Sequence, residues 1–439
     1  MGTIVIKAGR EKSIRRQHPW IFSGAIEKVQ DDPAPGAIVT VVDHKDRFLA
    51  RGYWNEKSQI QVRILTWQDE VIDEAWWKRQ FKRAIWSRLS QESMMRGEIN
   101  GFRLINAEND FLPGLIVDVY GQWMVLQALT LCIDQHKRDL AQWLVDCWAE
   151  AQAAGGEAHP DNLIRGVYER SDVDVRGKEG LRSVSGVLLG EEPPPLIHIQ
   201  ESPLLHYQVD VRAGHKTGFY LDQRISRSLL LGLVANDFSP MLDNQYAVHE
   251  MKNGHRILNL FSYTGGFGIA GLRGGLGVPG HVINVDASHE ALELAEANFQ
   301  LNFTENSNVK NIDLHADFIQ ADVFDYLRDQ VVEKAQYDVI ICDPPKFAHN
   351  AGQVERAARG YKDLNLNCFK LMKPGGYLMT FSCSGAITQD LFQKIVFGAL
   401  EDSGRQAQII QHLGPGADHP VALTFPEGAY LKGLLLRVY

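Results

Sequence analysis

The sequence predicts an α/β protein in which a doubly wound domain follows a small β-rich module and a mixed α/β central domain. Short apolar runs separated by turn clusters fill the first 70 residues, as is typical of β-structure. Apolar residues recur with helical spacing from residue 76, and apolar strands alternate with helices from residue 256. Such alternation indicates a parallel sheet covered on both faces. We therefore expect domains at residues 1–72, 73–192 and 193–439.

The N-terminal module has predicted strands over residues 37–42 and 59–65. Ahead of them, residues 12–22 place cations beside aromatic side chains. This mixture suits RNA, because phosphates attract cations and unstacked bases stack on flat rings. The alternative is an aromatic core with solvated arginines. The cations are Lys12, Arg15 and Arg16, and the rings are those of His18, Trp20 and Phe22.

A basic amphipathic helix is predicted from about residue 70 to residue 90. Its apolar face, in roughly i, i+4 spacing, consists of Trp76, Trp77, Phe81, Ile85 and Leu89. Its basic residues are Lys78, Arg79, Lys82, Arg83 and Arg88. Such a helix could touch a membrane surface. We favour a helix whose aromatic face packs on a neighbouring domain and whose basic face is free or faces RNA.

The remaining elements follow from the same patterns. Central strands are predicted over residues 115–120 and 123–129, and a helix over 135–154, which residues 167–173 follow. Residues 191–195 (Glu-Glu-Pro-Pro-Pro) are typical of a stiff, exposed linker, and we place a domain boundary near them. The doubly wound domain has predicted strands over 256–261, 282–286, 337–342 and 376–382, and a helix over 289–301.

Composition and charge narrow the functional classes. Apolar residues make up 45% and charged residues 23% of the chain, which argues against a disordered or fibrous protein. A net charge of −9 excludes a uniformly basic nucleic-acid binder. Residues 1–90 hold 16 Lys and Arg against 11 Asp and Glu, a net charge of +5, whereas the remainder carries −14. This asymmetry would let one domain meet a polyanion, although chance also produces a difference of this size.

The cysteines and the N-terminus predict a cytoplasmic protein without a metal site. Cys132, Cys147, Cys342, Cys368 and Cys383 are scattered and form no C-x-x-C pair, so we expect neither a disulfide framework nor a zinc site. The first residues lack the apolar core of a signal peptide, and no stretch approaches 18 uninterrupted apolar residues. A reducing compartment fits this cysteine usage.

Three motifs at the ends of predicted strands point to a ligand that contains adenosine. Residues 259–268 place glycines between a strand and a helix, where a ligand can approach the backbone closely. Asp286 ends the next strand, where an acid can accept hydrogen bonds from ribose hydroxyls. Asp322 can meet an adenine amino group. NAD and S-adenosylmethionine both present an adenosine, so these motifs leave both ligands open.

Residues 343–347 (Asp-Pro-Pro-Lys-Phe) separate the two ligands. They directly follow a strand and therefore lie at the carboxyl edge of the sheet, where ligands bind in this architecture. Two prolines fix the backbone after Asp343. An Asp-Pro-Pro loop in this place is typical of methyltransferases that act on bases, so the sequence favours S-adenosylmethionine.

Cys383 is the candidate nucleophile. It follows the strand that we expect beside the one ending at Asp343, so both side chains should face one cleft. A free cysteine is more often an inert buried residue, which is how we interpret the other four. A thiolate that adds to C6 of cytosine or uracil would make C5 nucleophilic, and elimination after loss of the C5 proton would restore the ring. Asp343 would stabilise the adduct at the N3/N4 edge, and the helix after Cys383 would favour the thiolate.

Residues 215–224 (His-Lys-Thr-Gly-Phe-Tyr-Leu-Asp-Gln-Arg) combine cations, aromatic rings and an acid ahead of the sheet. This loop could cover the methionine end of the cofactor or contact RNA phosphate. The alternative is a surface turn between strands.

Several unusual strings are spread along the chain, at residues 16–24, 103–108, 169–173, 215–218, 220–224, 261–267, 343–347, 359–363, 381–385, 426–428 and 430–433. Through them the chain resembles, nearly end to end, the bacterial 23S rRNA 5-cytosine methyltransferases of the RlmI type. Lys346 stands where many other RNA 5-cytosine methyltransferases have a second cysteine, as in the RlmI type. Two departures are Asn259, where many methyltransferases have an acid, and the long stretches 238–254 and 274–280.

The resemblance implies an N-terminal PUA domain, a Rossmann-like class I methyltransferase domain and S-adenosylmethionine as methyl donor. The implied acceptor is one cytosine of 23S rRNA, naked or in a large-subunit precursor. Cys383 and Asp343 would be catalytic. The residues expected at the cofactor are Tyr220, Asp222, Arg224, Phe261, Ser262, Tyr263, Gly265, Gly266, Asp286, Ala287, Ser288, Asp322, Val323 and Asp343. Those expected at RNA are Arg15, Arg16, Lys78, Arg79, Lys82, Arg83, Lys216 and Lys346. No metal and no membrane contact are expected, and a homodimer is a possible assembly.

Two alternative functions remain open. One is an amino-nitrogen methyltransferase, in which the Asp-Pro-Pro loop polarises an exocyclic amine and Cys383 is a bystander. The other is a non-catalytic RNA-binding or ribosome-assembly protein that keeps the fold. Retained activity without Cys383 would favour the first alternative, and RNA binding without methyl transfer the second.

Overall fold

The computed structural model describes residues 2–91, 98–154, 163–237, 254–275, 280–305 and 314–439. Packing divides the chain into two compact units. The first unit consists of Met1–Gln200, Val209–Leu221 and Ala417–Gly428, and the second of Glu201–Gln208, Asp222–Gly416 and Ala429–Tyr439. The expected boundaries near residues 72 and 192 stay a prediction. Most of the long stretches 238–254 and 274–280 lies outside the described residues.

The first unit contains a six-stranded sheet with the strand order β2-β6-β5-β4-β1-β3. Its elements are β1 (Thr3–Ile6), the short helix α1 (Lys12–Arg15), β2 (Trp20–Phe22), β3 (Ile26–Gln30), β4 (Ile38–Val42), β5 (Phe48–Trp54) and β6 (Ile60–Thr66). Ile4 and Ile6 on β1 and Val39 and Val41 on β4 are fully buried, because alternate side chains of a strand point to the same face. The predicted β-rich module is confirmed.

A second sheet of the first unit has five strands in the order β11-β10-β9-β8-β7. The elements are α2 (Glu74–Leu89), β7 (Gly101–Asn106), β8 (Leu115–Tyr120), β9 (Trp123–Ala128), α3 (Leu131–Ala154), β10 (Gly166–Ser171) and β11 (Val184–Gly190). Asp73 caps α2 by accepting a hydrogen bond from the Trp76 N–H at 2.9 Å. Trp76 and Phe81 of α2, Leu104 of β7 and Leu144 of α3 are buried in one apolar cluster. The aromatic face of α2 is therefore packed, as predicted.

The proline-rich residues 191–195 belong to the first unit and are not an exposed linker throughout. Pro193 is buried, and its carbonyl accepts a hydrogen bond from Arg212 Nε at 3.0 Å. A proline has no N–H donor, but its carbonyl oxygen still accepts hydrogen bonds. The hydrogen bond from Arg212 therefore holds residues 191–195 against the first unit. A hairpin of β12 (Ile197–Ser202) and β13 (Leu205–Val209) follows it.

The second unit contains a seven-stranded sheet with the order β16-β15-β14-β17-β18-β20-β19. Its strands are β14 (His255–Leu260), β15 (Gly280–Asp286), β16 (Leu314–Gln320), β17 (Tyr337–Cys342), β18 (Met372–Ser382), β19 (Ala407–Leu413) and β20 (Lys432–Val438). Its helices are α4 (Arg224–Asp237), α5 (Gly266–Gly274), α6 (His289–Gln300), α7 (Val323–Val332), α8 (Val354–Leu371) and α9 (Gln389–Ser403). Strands β14 to β18 pair in parallel, and β20 is antiparallel to both β18 and β19. The predicted doubly wound architecture is confirmed.

Helix α5 approaches β15 closely because Gly268 has no side chain. A Cβ atom at this position would lie 2.6 Å from Asn284 Oδ1 and 2.9 Å from Val282 Cγ2. Both distances are shorter than van der Waals contact, so a larger residue would push α5 away from the sheet. This contact fixes the position of the loop that precedes the helix.

We expect Gly268→Ala to destabilise the protein by about 1–3 kcal/mol, because the added methyl group overpacks this contact. Gly232→Ala in α4 is the matched control, since a Cβ there meets no atom within 4 Å. Alanine at that control position should be neutral or stabilising by up to about 1 kcal/mol. Urea unfolding measures both changes, and equal midpoints for the two variants would contradict the close contact.

Candidate active site

The loop between β14 and α5 has an unusual backbone. Phe261, Tyr263 and Gly265 have φ angles of +55°, +47° and +79°, in the left-handed region that non-glycine residues adopt at a cost. Such residues persist only where the surrounding structure holds them, and they cluster at functional sites. Here the Ser262 N–H donates to the Val285 carbonyl at 3.0 Å, and the Gly265 N–H to the Ser262 carbonyl at 2.9 Å. The loop is thus fastened to the end of β15.

Asp286, the last residue of β15, joins two loops at the carboxyl edge of the sheet. Its Oδ2 accepts a hydrogen bond from the Tyr263 N–H at 2.8 Å, and its Oδ1 accepts one from the Ser288 N–H at 3.0 Å. Ser288 in turn caps α6 by accepting from the Ala291 N–H at 3.2 Å. Ala287, between the two, is exposed. The carboxylate is therefore held in one orientation next to the loop before α5.

Asp322 lies beside Asp286, because the Ala321 N–H donates to the Asp286 carbonyl at 3.0 Å. Asp322 is the N-cap of α7, and its Oδ1 accepts from the N–H of Phe324 at 2.8 Å and of the next residue at 3.2 Å. Its Oδ2 accepts no hydrogen bond from the described residues. The adjacent Val323 is buried. One oxygen of this exposed carboxylate is thus available to a ligand.

Asp343 and Cys383 meet at the same edge of the sheet. Strands β17 and β18 are parallel neighbours, with Cys342 opposite Thr380, so the residues that follow each strand end lie side by side. The Cys383 thiol lies 3.9 Å from the carbonyl oxygen of Pro344. Cys383 is partly exposed, whereas the other four cysteines are buried. The two residues that we expected to share a cleft are therefore adjacent.

Gln223 holds the carboxylate of Asp343, and the sequence pattern did not single it out. Its Nε2 donates to Asp343 Oδ2 at 2.9 Å, and its side chain is buried. Asp222 is also buried and accepts a hydrogen bond from the Tyr430 hydroxyl at 2.5 Å. Arg224, the first residue of α4, is also buried. Residues 222–224 are consequently not a surface turn.

The string 215–224 does not act as one loop, because the two units divide it after residue 221. Tyr220 belongs to the first unit, where its hydroxyl lies 3.3 Å from His215 Nδ1 and its ring lies 4.3 Å from the Lys216 ammonium. Thr217, in the same loop, donates to Asp118 Oδ2 at 2.6 Å. Only the tertiary structure shows this division, since the string is continuous in sequence.

Tyr361 of α8 braces the segment around Cys383. Its hydroxyl lies 3.0 Å from Ser384 Oγ and accepts a hydrogen bond from Ser382 Oγ at 2.9 Å. Ser384 Oγ also accepts from the Ala348 N–H at 3.1 Å. Burial raises the pKa of Tyr361, with the two serine hydroxyls acting in the opposite direction. The string 359–363 contains this residue, but nothing in its pattern indicated that the side chain reaches β18.

Comparison with protein families decides the class of this site. Residues 4–67 match the model of a PUA-like domain, and residues 182–437, more than half of the chain, match that of the S-adenosylmethionine-dependent methyltransferases. The chain belongs to the S-adenosylmethionine-dependent methyltransferase family. S-adenosylmethionine is therefore its cofactor, and the β-rich module is PUA-like, as the resemblance implied.

Relatives of this methyltransferase extend over its full length. The protein named ribosomal RNA large subunit methyltransferase I from Tolumonas auensis is 42% identical over 437 residues, and that from Aeromonas hydrophila is 41% identical over 436, with 99% of each chain covered. The expected relationship to the RlmI type is confirmed. Among solved structures, a putative methyltransferase from Streptococcus mutans covers 100% of both chains with a TM-score of 0.73 at 20% identity, which supports the fold.

The site of this methyltransferase fits S-adenosylmethionine. Ser262 Oγ and Thr264 Oγ1 are buried and have no hydrogen-bond partner within the described residues, which is costly unless a ligand supplies one. Helix α5 starts at Gly266 without a side-chain cap, so its first N–H groups can serve polar ligand atoms. Gly265 is needed for its positive φ and because a Cβ would lie 3.1 Å from Ala295 Cβ. Asn259 in β14 donates to Asn284 Oδ1 at 2.9 Å and so orders the sheet beneath this loop.

The cations of α2 form ion pairs, so its basic face is not free, and the alternative that this face meets RNA stays a prediction. The ion pairs are Lys78 with Glu74 at 2.7 Å, Arg79 with Glu70 at 2.6 Å and Lys82 with Glu150 at 2.7 Å. The Arg83 guanidinium lies over the Phe111 ring at 4.8 Å. Exposed ion pairs contribute little to stability because solvent screens them, so RNA phosphates could displace them. The pattern of α2 could show only Glu74, which lies four residues before Lys78 on the same helix, because Glu70 precedes the helix and Glu150 comes from α3.

The cations at residues 12–16 differ from one another. Arg15 Nη2 donates to Asp43 Oδ2 at 3.0 Å, whereas Arg16 is exposed and forms no ion pair with the described residues. Trp20 serves the fold of the first unit, since its Nε1 donates to Glu108 Oε1 at 2.8 Å. Phe22 is 49% exposed. Arg16 and Phe22 thus keep the cation and the ring surface that RNA would need.

Lys216 and Lys346, the two remaining candidates for RNA contact, are both exposed. Lys346 lies in the Asp-Pro-Pro loop beside Asp343. Within the residues that the structure describes, no group of three or more His, Cys, Asp or Glu side chains is arranged to hold a metal ion, and no helix is long and apolar enough to cross a membrane.

Proposed function

We propose that this methyltransferase acts on C5 of one cytosine in 23S ribosomal RNA and that Cys383 is its nucleophile. The observation that carries the proposal is the partly exposed Cys383 thiol beside the Asp-Pro-Pro loop, 3.9 Å from the Pro344 carbonyl. Full-length relatives named ribosomal RNA large subunit methyltransferase I support the choice of RNA. Work on ribosomal RNA or a large-subunit precursor would take place in the cytoplasm.

Methylation of C5 requires a nucleophile that adds to C6 of the cytosine ring and a methyl donor next to C5. S-adenosylmethionine supplies an electrophilic methyl group. The Cys383 thiolate would add to C6 of cytosine, which makes C5 nucleophilic. C5 would then form a bond to the methyl group while the bond between that methyl group and the sulfonium sulfur breaks, which leaves S-adenosylhomocysteine. Asp343, held by Gln223 at 2.9 Å, stabilises the ring at its N3/N4 edge. Loss of the C5 proton and departure of the thiolate restore the aromatic ring.

The target base has to be single-stranded or flipped out, because ring carbons inside a duplex are inaccessible. We assign the surrounding RNA to the PUA-like module, through Arg16 and Phe22. The remaining cations, at residues 15, 78, 79, 82, 83, 216 and 346, would add electrostatic attraction. The paired cations of α2 would contribute less than the exposed Arg16.

Cys383→Ala should abolish formation of 5-methylcytosine, because it removes the thiol that forms the C6 adduct and the other four cysteines are buried. The assay is methyl transfer from labelled S-adenosylmethionine to unmodified ribosomal RNA, followed by nucleoside analysis. Cys132→Ala, which removes a buried thiol of α3, is the matched control and should keep the activity. Label in an exocyclic amine, with full rate in Cys383→Ala, would sink the C5 mechanism. Absence of label on both naked RNA and subunits would favour the binding-protein alternative.

Asp286→Asn should weaken binding of S-adenosylmethionine about 10- to 100-fold, since hydrogen bonds to a charged acceptor are worth about 1.5–3 kcal/mol. The matched control is Asp317→Asn on the neighbouring β16, where the carboxylate is exposed and pairs with His281 at 2.8 Å. Titration calorimetry gives both affinities, and thermal unfolding checks that each variant is folded. A folded Asp286→Asn protein with unchanged affinity would remove this residue from the cofactor site.

Arg16→Ala should lower RNA affinity and reduce the slope of log affinity against log salt by about one. Lys82→Ala removes the same charge from a cation that is already paired with Glu150, so its effect should be smaller. Filter binding at several salt concentrations compares the two variants. Equal losses would mean that only the net charge matters, and no loss in Arg16→Ala would exclude this contact.

A further inference from the structure

A buried lysine lies next to the candidate nucleophile. Lys432 is the first residue of β20 and stands opposite Ser382 in the antiparallel pairing with β18, one residue before Cys383. The residue is only 6% exposed. Burying an ammonium group is costly unless other groups compensate. The position of this charge therefore needs a reason.

The ammonium group of Lys432 fastens the turn that follows Cys383. Its Nζ donates to the carbonyl oxygen of Ser384 at 2.7 Å and to that of Ile387 at 2.6 Å. Among the described residues, no carboxylate lies within ion-pair distance of it. The positive charge is thus solvated by neutral carbonyls and is not neutralised by an acid.

The Lys432 ammonium group can interact with the thiol of Cys383. Burial lowers the pKa of Lys432 to about 8, the interaction with Cys383 acts in the opposite direction, and the cation of Lys346 lowers it further. Asp343, which follows β17, is the carboxylate that lies in the Asp-Pro-Pro loop beside Cys383. Tyr361 from α8 contributes a neutral hydroxyl, because burial raises its pKa.

We propose that Lys432 is a positioning residue for Cys383: its ammonium group holds the turn at residues 384–387 and stabilises the neighbouring thiolate. The thiol proton goes to solvent, while the ammonium group keeps its own protons. A nearby cation favours the thiolate, which is the reactive form of cysteine. This inference rests on the proposed role of Cys383 as nucleophile and adds the source of its reactivity.

Alkylation of Cys383 by iodoacetamide tests the effect of Lys432 on this thiol, and it needs neither RNA nor cofactor. The full-length protein is treated over a range of pH, and modification is followed by peptide mass spectrometry, with the four buried cysteines as internal reference. Lys432→Gln keeps N–H donors for the two carbonyls but removes the charge. We expect the pH midpoint of Cys383 alkylation to rise by about one unit in this variant, and the rate at neutral pH to fall about tenfold.

The sign of the pH dependence is specific. The ammonium group is present below pH 8 and lost above it, so the difference between the native protein and Lys432→Gln should be largest at neutral pH and shrink as the pH rises. Lys432→Arg retains the charge and should keep the lower midpoint. Lys373→Met is the matched control, since it removes a cation of β18 that pairs with Asp338 at 2.9 Å.

Three results would overturn the inference: an unchanged midpoint in Lys432→Gln, an equal shift in Lys373→Met, or a rate lowered by one factor at every pH. Cofactor affinity and thermal unfolding of each variant show whether it is folded, and Lys432→Met provides a second neutral variant if the glutamine variant is not.

Methyl transfer separates the proposed role of Lys432 from the proposed function. Loss of 5-methylcytosine in Cys383→Ala with no shift in Lys432→Gln would keep the function and reject the role of Lys432. A shifted midpoint with full activity in Cys383→Ala would reject the pair as part of catalysis.

Discussion

Parallel pairing of β14 to β18 is the constraint on which the candidate site depends. Parallel strands end at the same edge, and their register fixes the height at which each following residue emerges: Leu260 stands opposite Val285, and Cys342 opposite Thr380. Residues that are far apart in sequence, such as Asp343 and Cys383, consequently follow neighbouring strand ends. The chemistry is set by which side chains come directly after each strand.

The loop at this carboxyl edge of the sheet contains features that destabilise the protein without a ligand. Phe261 and Tyr263 have left-handed backbones, and two buried hydroxyls of the same loop, those of Ser262 and Thr264, lack partners within the described residues. Each feature costs free energy in the protein without a ligand. The close contact at Gly268 and the hydrogen bonds to Asp286 offset this cost by holding the loop in place. Such a loop is preorganised for polar groups of a cofactor.

Several basic side chains of residues 1–90 form buried ion pairs inside the first unit. Arg63, only 8% exposed, pairs with Glu108 at 2.8 Å and with Glu179 at 3.0 Å, and Arg88 is buried against Asp110 at 2.7 Å. Buried charges of this kind persist because they are paired. A count of charged residues treats them like surface cations. The net charge of residues 1–90 is therefore a weak guide to an RNA-binding surface, and the exposed Arg16 is a better one.

The fold class, the family resemblance and the residues that follow strand ends could be predicted from the sequence, because apolar periodicity and short motifs are local properties of the chain. The sequence could also bring Asp343 and Cys383 together, since neighbouring parallel strands have a predictable order. Only the tertiary structure decided which groups surround them. Gln223, Tyr361 and Lys432 come from three distant segments, and Glu150, which pairs with Lys82 of α2, comes from another. Side-chain contacts between such segments depend on packing and register across the sheet, which no local pattern encodes.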